Sequence, residues 1–326
     1  MIETINLTKR YGDLIALDAL NLSIESGDCF GFIGPNGAGK STTIKILATL
    51  LKPSSGQAMV DGLTVGYQNR QIRPVIGYVP DFMGAYEDMV VTEYLEFFAA
   101  CYNINGVQRK KVVADVLDLT DLHFKATAEV NSLSRGMQQR LSIARVLLHD
   151  PKVLLMDEPA SGLDPRARIE IRELLKELKR MGKTIIISSH ILPELADFCN
   201  TVGIIEKGKL LFSGSVAEAM RRAKVGNVVH VAVADRTQQA AALLQKLPGI
   251  SKIVITDAPP GVKTSGGLNG VGDGRVINIT FDADSKTDFT DVPNLLVNQG
   301  FRIVTFTEEA INLETAFMRL TKGAVQ

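Results

Sequence analysis

The sequence predicts an α/β protein with much parallel sheet, followed by a smaller α+β domain. Three observations carry this reading. Short apolar or β-branched runs (Cys29–Ile33, Val153–Met156 and Thr184–Ser188) read as buried strands, and they alternate with amphipathic stretches of helical period. A glycine-rich loop, GPNGAGKST over Gly34–Thr42, lies between the first of these strands and a helical pattern. From about residue 225 the order becomes β-α-β-β-α-β, that of a ferredoxin-like sandwich.

Taken in order, residues 1–66 read as short strands and turns leading into and beyond the loop, with a helix over Ser41–Leu51. Residues 92–118 look helical, and Tyr94, Leu95, Phe97, Phe98 and Tyr102 form an apolar face expected in the core. Ser134 stands where an N-cap would open a helix through Leu148. The strand Val153–Met156 ends in two carboxylates, Asp157 and Glu158. A charged amphipathic helix over Ile169–Met181 and the strand Thr184–Ser188 lead to His190. Past a boundary near Ala223, strands are expected at Val228–Val233, Ile250–Thr256, Val276–Phe281 and Phe301–Phe306. Helices are expected at Thr237–Leu247, Asp288–Gln299 and Leu313–Leu320, and a Gly/Pro-rich mobile loop at Ala258–Arg275. The domains are thus read as 1–223, with a helical subdomain at about 85–150, and 224–326.

Bulk properties narrow the function. The chain has 326 residues, 45% hydrophobic and 22% charged, with a formal net charge of zero, so no global field draws it to nucleic acid or anionic lipid. Cys29, Cys101 and Cys199 are far apart and form no CxxC pair, which argues against a metal or disulfide framework and for reduced thiols in the cytosol. No N-terminal apolar run marks a signal peptide, and no segment reaches the ~20 apolar residues that span a bilayer. Residues 141–156 come nearest, but Arg145, His149, Asp150 and Lys152 interrupt them. If the protein acts at a membrane, another chain must cross it.

The chemistry-bearing residues converge on a nucleotide. GPNGAGKST fits G-x-x-x-x-G-K-[ST] in full. Gly34, Gly37 and Gly39 let successive backbone N–H groups turn toward one anion, and the following helix adds its N-terminal dipole. Lys40 supplies charge to the β- and γ-phosphates, and Ser41 a hydroxyl to Mg²⁺. Asp157 can hold Mg²⁺ through a water or through Ser41, and Glu158 reaches past the strand end, where it can polarise an attacking water. His190, also strand-terminal, is placed near the γ-phosphate. Tyr11 is open from chemistry alone: it stacks on adenine or is an ordinary exposed turn residue.

With these residues in hand, the chain resembles the nucleotide-binding subunit of an ATP-binding cassette (ABC) transporter over residues 1 to about 220. GPNGAGKST matches Walker A, its Asn36, Ala38 and Thr42 included; LLMDEP matches Walker B with Glu158 as catalytic glutamate. SRGMQQ matches the ABC signature, Ser161–Asp164 the D-loop, His190 the switch histidine and Tyr11 the adenine-stacking aromatic. The resemblance implies a P-loop NTPase fold, a mixed sheet core with a helical subdomain, and hydrolysis of Mg·ATP. It also implies two copies in a homodimer. In the family, nucleotide on one subunit's Walker A is covered by the other's signature, which here would offer Ser134, Gly136 and, from the D-loop, Asp164. By chemistry alone, Ser134 is equally a plain N-cap.

Three positions depart from the family's commonest pattern. The signature reads LSRGM rather than LSGGQ, with Arg135 and Met137, and Asp81 stands where the Q-loop Gln is usual. Asp offers only acceptors and a charge, so Asp81 is expected as a substitute on the Mg²⁺ side. One cassette, no membrane span and a short extension resemble ABC-2-type exporters of drug and antibiotic resistance. There a separate integral-membrane permease docks beside the Q-loop, here Asp81–Asp88. The protein is then cytoplasmic, held at the inner face of the membrane by that permease, with no nucleic-acid partner. The alternative is a non-transport ABC ATPase in translation or DNA repair.

Overall fold

The structure, a computed structural model, describes residues 1–84, 89–189, 195–223, 228–257, 274–281, 290–308 and 317. His190, the expected helix Leu313–Leu320 apart from Phe317, and nearly all of the Gly/Pro-rich stretch Ala258–Arg275 lie outside those residues. The described residues divide into two compact units, the first made of Met1–Ala219 together with Phe317 and the second lying within Met220–Ala316.

The first unit is built on two sheets. Strands β1 (Ile2–Tyr11) and β2 (Leu14–Ile24) form a hairpin about Gly12–Asp13, and with β4 (Ser55–Val60) and β5 (Leu63–Thr64) they make an antiparallel sheet in the order β2-β1-β4-β5. The second sheet contains β3 (Cys29–Ile33), β6 (Ile76–Val79), β7 (Val153–Asp157), β8 (Thr184–Ser189), β9 (Thr201–Glu206) and β10 (Lys209–Ser215), in the order β10-β9-β3-β8-β7-β6. All its pairings are parallel except β10 with β9. Every residue of β3, β7 and β8 is buried. Parallel strands covered on both faces need such continuous apolar runs.

Helix α1 (Lys40–Leu47) lies between the sheets, where Ile44, Ile46 and Leu47 join one core with Leu17 and Val60 on one side and Leu155 and Ile186 on the other. It is shorter than its periodicity implied, because Thr49 takes a left-handed conformation (φ 62°) that ends the turn. After α2 (Asn69–Ile72) comes a helical layer: α3 (Val91–Cys101), α4 (Gly106–Leu119) and α5 (Arg135–Leu147), with α5 packed on β6 and on α6 (Pro165–Arg180). The single helix expected over 92–118 is two, broken where Asn103 adopts φ 61°. Its aromatic face divides accordingly: Tyr94 is fully buried, whereas Phe97 and Tyr102 are more than 40% exposed. Helix α6 starts four residues before its apolar periodicity does, because Asp164 caps it and Pro165 occupies its first turn.

Two cysteines distant in sequence meet in this unit. Cys29 and Cys199 are free thiols, both buried, with sulfurs 3.8 Å apart, and burial together with the Cys29 thiol pushes Cys199 up. Helix α7 (Val216–Ala223) follows β10.

The second unit contains β11 (Val228–Val233), α8 (Thr237–Leu244), β12 (Ile250–Asp257), β13 (Arg275–Phe281), α9 (Asp291–Asn298) and β14 (Ile303–Glu308). Its sheet runs β12-β13-β11-β14 with every pairing antiparallel, the ferredoxin-like arrangement of a β-α-β-β-α-β order. Val229, Val231, Ile277 and Ile279 face α8 and α9 in one apolar core. Among the described residues of the chain, no helix is long and apolar enough to cross a membrane.

Candidate active site

The site forms at the C-terminal ends of β3, β7 and β8, the edge at which open parallel sheets hold ligands. Strand β3 runs out into the loop Gly34–Gly39. Gly39, the last loop residue before α1, has φ 111°, and a Cβ there would stand 2.7 Å from the Ala16 carbonyl oxygen. Any other residue would be strained and crowded at once. Asn36 and Gly37 are exposed on the loop, Ala38 and Lys40 are buried, and Ser41 and Thr42 are half-buried in the first turn of α1. Lys40 Nζ donates to the carbonyls of Gly34 (2.7 Å) and Pro35 (3.2 Å) and lies 3.5 Å from Glu158 Oε1. Its charge is thus held over the loop.

Strand β7 delivers the carboxylates. Ser41 Oγ donates to Asp157 Oδ1 at 2.8 Å, across 116 positions of sequence. Ser188 Oγ, at the end of the neighbouring β8, donates to the same Oδ1 at 2.8 Å and accepts the backbone N–H of Glu158 at 3.0 Å. Glu158 turns out of the strand in a left-handed conformation (φ 47°), which directs its carboxylate back toward Lys40. Lys40, Ser41, Asp157 and Glu158 therefore converge as their sequence positions predict. Ser188 was missed: nothing in a run of β-branched residues distinguishes a hydroxyl that faces the site from one that does not.

A hydroxyl and a carboxylate in contact beside a phosphate loop suit Mg²⁺, which takes few protein ligands and completes its shell with phosphate and water. No cluster of three or more acidic, His or Cys ligands occurs among the described residues, so a metal held by protein groups alone finds no cage there. Asp81 is exposed, two residues beyond β6. Its charge and that of Asp157 both act on Tyr78, whose phenol is pushed up to about 12, chiefly by burial.

A second group of residues gathers where α5 meets α6. Ser134 caps α5, its Oγ accepting from Met137 N at 3.3 Å, and Asp164 caps α6, accepting from the N–H groups of Arg166 and Ala167 at 3.0 Å. Gly136 is buried against α6: a Cβ there would stand 2.6 Å from Ala167 Cβ. The Arg135 guanidinium lies close against Gly162 (φ 65°) in the loop before α6, its Cζ 2.7 Å from where a Gly162 Cβ would sit. The arginine at the start of α5 thus packs against the loop before α6. Tyr11, at the end of β1, is 48% exposed, with Lys9 Nζ 5.0 Å from its ring centre.

Comparison with known proteins agrees with this geometry. Residues 17–161 match the model of the family described as ABC transporter. The Nod factor export ATP-binding protein I of Cupriavidus metallidurans is 40% identical over 65% of this chain and 70% of its own length. The chain belongs to the ABC transporter family. A linearmycin resistance ATP-binding protein of Bacillus subtilis is 31% identical over 78% of this ABC protein and 82% of its own length. A dimeric ATP-binding cassette in a post-hydrolysis state, bound to ADP and Pi, superposes with a TM-score of 0.60 at 29% identity, covering 66% of this chain and 98% of its own. The chain is therefore an ABC ATPase, which binds ATP and hydrolyses it to ADP and phosphate.

Proposed function

We propose that this chain is the ATP-hydrolysing subunit of an ABC-2-type exporter, acting as a homodimer on a separate membrane permease. The observation that carries the chemistry is the Ser41–Asp157–Ser188–Glu158 chain of contacts beside Lys40. Relatives named for Nod factor export and linearmycin resistance support the exporter reading over a role in translation or DNA repair.

In this reading the N–H groups of Gly34–Thr42 and the Lys40 ammonium bind the β- and γ-phosphates of ATP. Ser41 and Asp157 would hold Mg²⁺, which when bound offsets the charge of those phosphates. Glu158 accepts a proton from the water that attacks the γ-phosphate, on the side where Lys40 keeps its carboxylate. His190 contacts the γ-phosphate, Tyr11 stacks on adenine, and Asp81 acts on the metal side of the site. Ser134, Gly136 and Asp164 cover the nucleotide held by the other copy: the exposed N-terminus of α5 presents its N–H groups and a hydroxyl to phosphate. The domains act as a cassette of residues 1–223 and an accessory domain of residues 224–326. The protein sits at the inner face of the membrane through its permease.

The docking surface fits a cleft of about 490 Å³ flanked by α3, α5 and β6. Arg70, Arg73 and Arg145 line it with Tyr78, Phe98 and Tyr102, and no carboxylate lines it among the described residues. An acidic, amphipathic segment of the permease complements such a surface. Phe82, three residues beyond β6 and 77% exposed, extends the apolar contact.

The test is trapping. Glu158→Gln keeps ATP unhydrolysed, so the variant should elute as an ATP-dependent dimer on gel filtration, and adding Ser134→Arg should return it to monomer. A Glu158→Gln protein that stays monomeric at saturating ATP refutes the clamp. Purification from membranes should bring down an integral-membrane protein; ribosomes or DNA in its place would favour the non-transport reading.

A further inference from the structure

Strand β8 lies between β3, which leads into the phosphate loop, and β7, which ends in the carboxylates. The last residues of β8 therefore stand between the two halves of the site. Ser188 is completely buried there, in register with Asp157. A serine hydroxyl has one proton to give and lone pairs to receive. Ser188 uses both: it donates to Asp157 Oδ1 at 2.8 Å and accepts from Glu158 N at 3.0 Å. Asp157 Oδ1 has a second donor, Ser41, but that hydroxyl is the one expected to turn toward the metal. Ser188 is the donor committed to the carboxylate. Its acceptor side holds the backbone of Glu158 at the one point where the chain leaves the strand in a left-handed conformation, strained for a glutamate.

We propose that Ser188 is the positioning residue of this ATPase: one hydroxyl orients the metal-binding carboxylate of Asp157 and sets the direction in which Glu158 leaves the strand. The inference rests on the roles proposed for Asp157 and Glu158. Any buried residue of similar size would fill the sheet; only a hydroxyl serves both groups. The chain needs Ser or Thr at 188, and Ala or Val should uncouple the metal site from an otherwise intact nucleotide site.

The experiment uses the full chain with Ser188→Ala, Ser188→Val and Ser188→Thr, and Asp157→Asn as a control. Mn²⁺ affinity in the presence of a non-hydrolysable ATP analogue is read by electron paramagnetic resonance. Binding of a fluorescent ATP analogue in EDTA is read separately, as is ATPase rate against Mg²⁺ concentration. Ser188→Ala and Ser188→Val should weaken Mn²⁺ roughly tenfold, the loss typical when an outer hydrogen-bond partner of a metal ligand is removed. The Mg²⁺ half-saturation should rise in parallel and kcat should fall, with metal-free nucleotide affinity unchanged. Ser188→Thr should restore metal affinity. Wild-type Mn²⁺ affinity in Ser188→Ala, or a Thr variant as weak as Ala, overturns the inference. If Asp157→Asn also leaves Mn²⁺ affinity intact, the metal role of Asp157 has failed; if Asp157→Asn abolishes it while Ser188→Ala does not, only the role of Ser188 has.

Discussion

Gly136→Ala separates two reasons for a glycine in the signature helix. In an open helix the change stabilises by about 1 kcal/mol, because alanine has the higher helix propensity. Here the new Cβ would stand 2.6 Å from Ala167 Cβ, whereas carbon atoms in contact prefer about 3.5–4 Å. Helices α5 and α6 must then part by roughly 1 Å, and overpacking of this kind costs about 1–3 kcal/mol. The net expectation is a loss of about 1 kcal/mol, with a larger effect on catalysis. Ser134 and Asp164 cap these two helices, so parting them displaces the signature and the D-loop together. A misplacement near 1 Å can lower a rate by about a hundredfold. Ala167→Gly makes room at the same contact, at the expense of about 1 kcal/mol of helix propensity. Urea unfolding and ATPase rates of the two single variants and the double variant complete the cycle. The double variant should be more active than Gly136→Ala, and the pair should couple favourably. A Gly136→Ala protein that gains stability and keeps its rate, with no coupling to Ala167→Gly, refutes the packing argument.

Two further outcomes follow from buried polar groups. Arg140 is 5% exposed and donates through Nη1 to the carbonyls of Thr120 (3.1 Å) and Asp121 (3.0 Å), while Nη2 lies 3.3 Å from Glu170 Oε2. The acidic partners are partly solvated, so the ion pairs count for little and the carbonyl bonds and packing for more. Arg140→Ala should cost about 2–3 kcal/mol in chemical unfolding, and Lys should recover less than half. His149 Nε2 lies 2.9 Å from the Ile76 carbonyl, its ring stacks on Tyr102 at 4.0 Å, and Nδ1 has no hydrogen-bond partner among the described residues. Burial pushes its pKa below 6.5, so below that pH the unfolded chain binds a proton that the folded chain resists. This group's contribution is complete above pH 6.5 and is lost as the pH falls. The urea midpoint should drop between pH 7.5 and 5.5, and less in His149→Gln, whose amide can still donate to Ile76. An equal drop in both proteins refutes the assignment.

What the sequence by itself determined is whatever depends on neighbours along the chain. GPNGAGKST sets its own turns, and the apolar runs Cys29–Ile33 and Val153–Met156 read as buried strands, so the phosphate loop and both carboxylates were legible, as was the ferredoxin-like order of the second unit. Helix ends were less so. Thr49 and Asn103 end helices through left-handed conformations that no apolar periodicity records. Tertiary structure decided which residues meet across strands and helices. Strand order places β8 between β3 and β7 and so makes Ser188, one hydroxyl in an unremarkable run, the link between Asp157 and Glu158. Packing of α5 on α6 makes Gly136 the residue that admits Ala167, and lays Arg135 on Gly162. The tertiary fold also brings together Cys29 and Cys199, 170 positions apart. The physical reason is the same in each case: backbone conformation is governed largely by adjacent residues, whereas close approach depends on which surfaces the whole fold brings face to face.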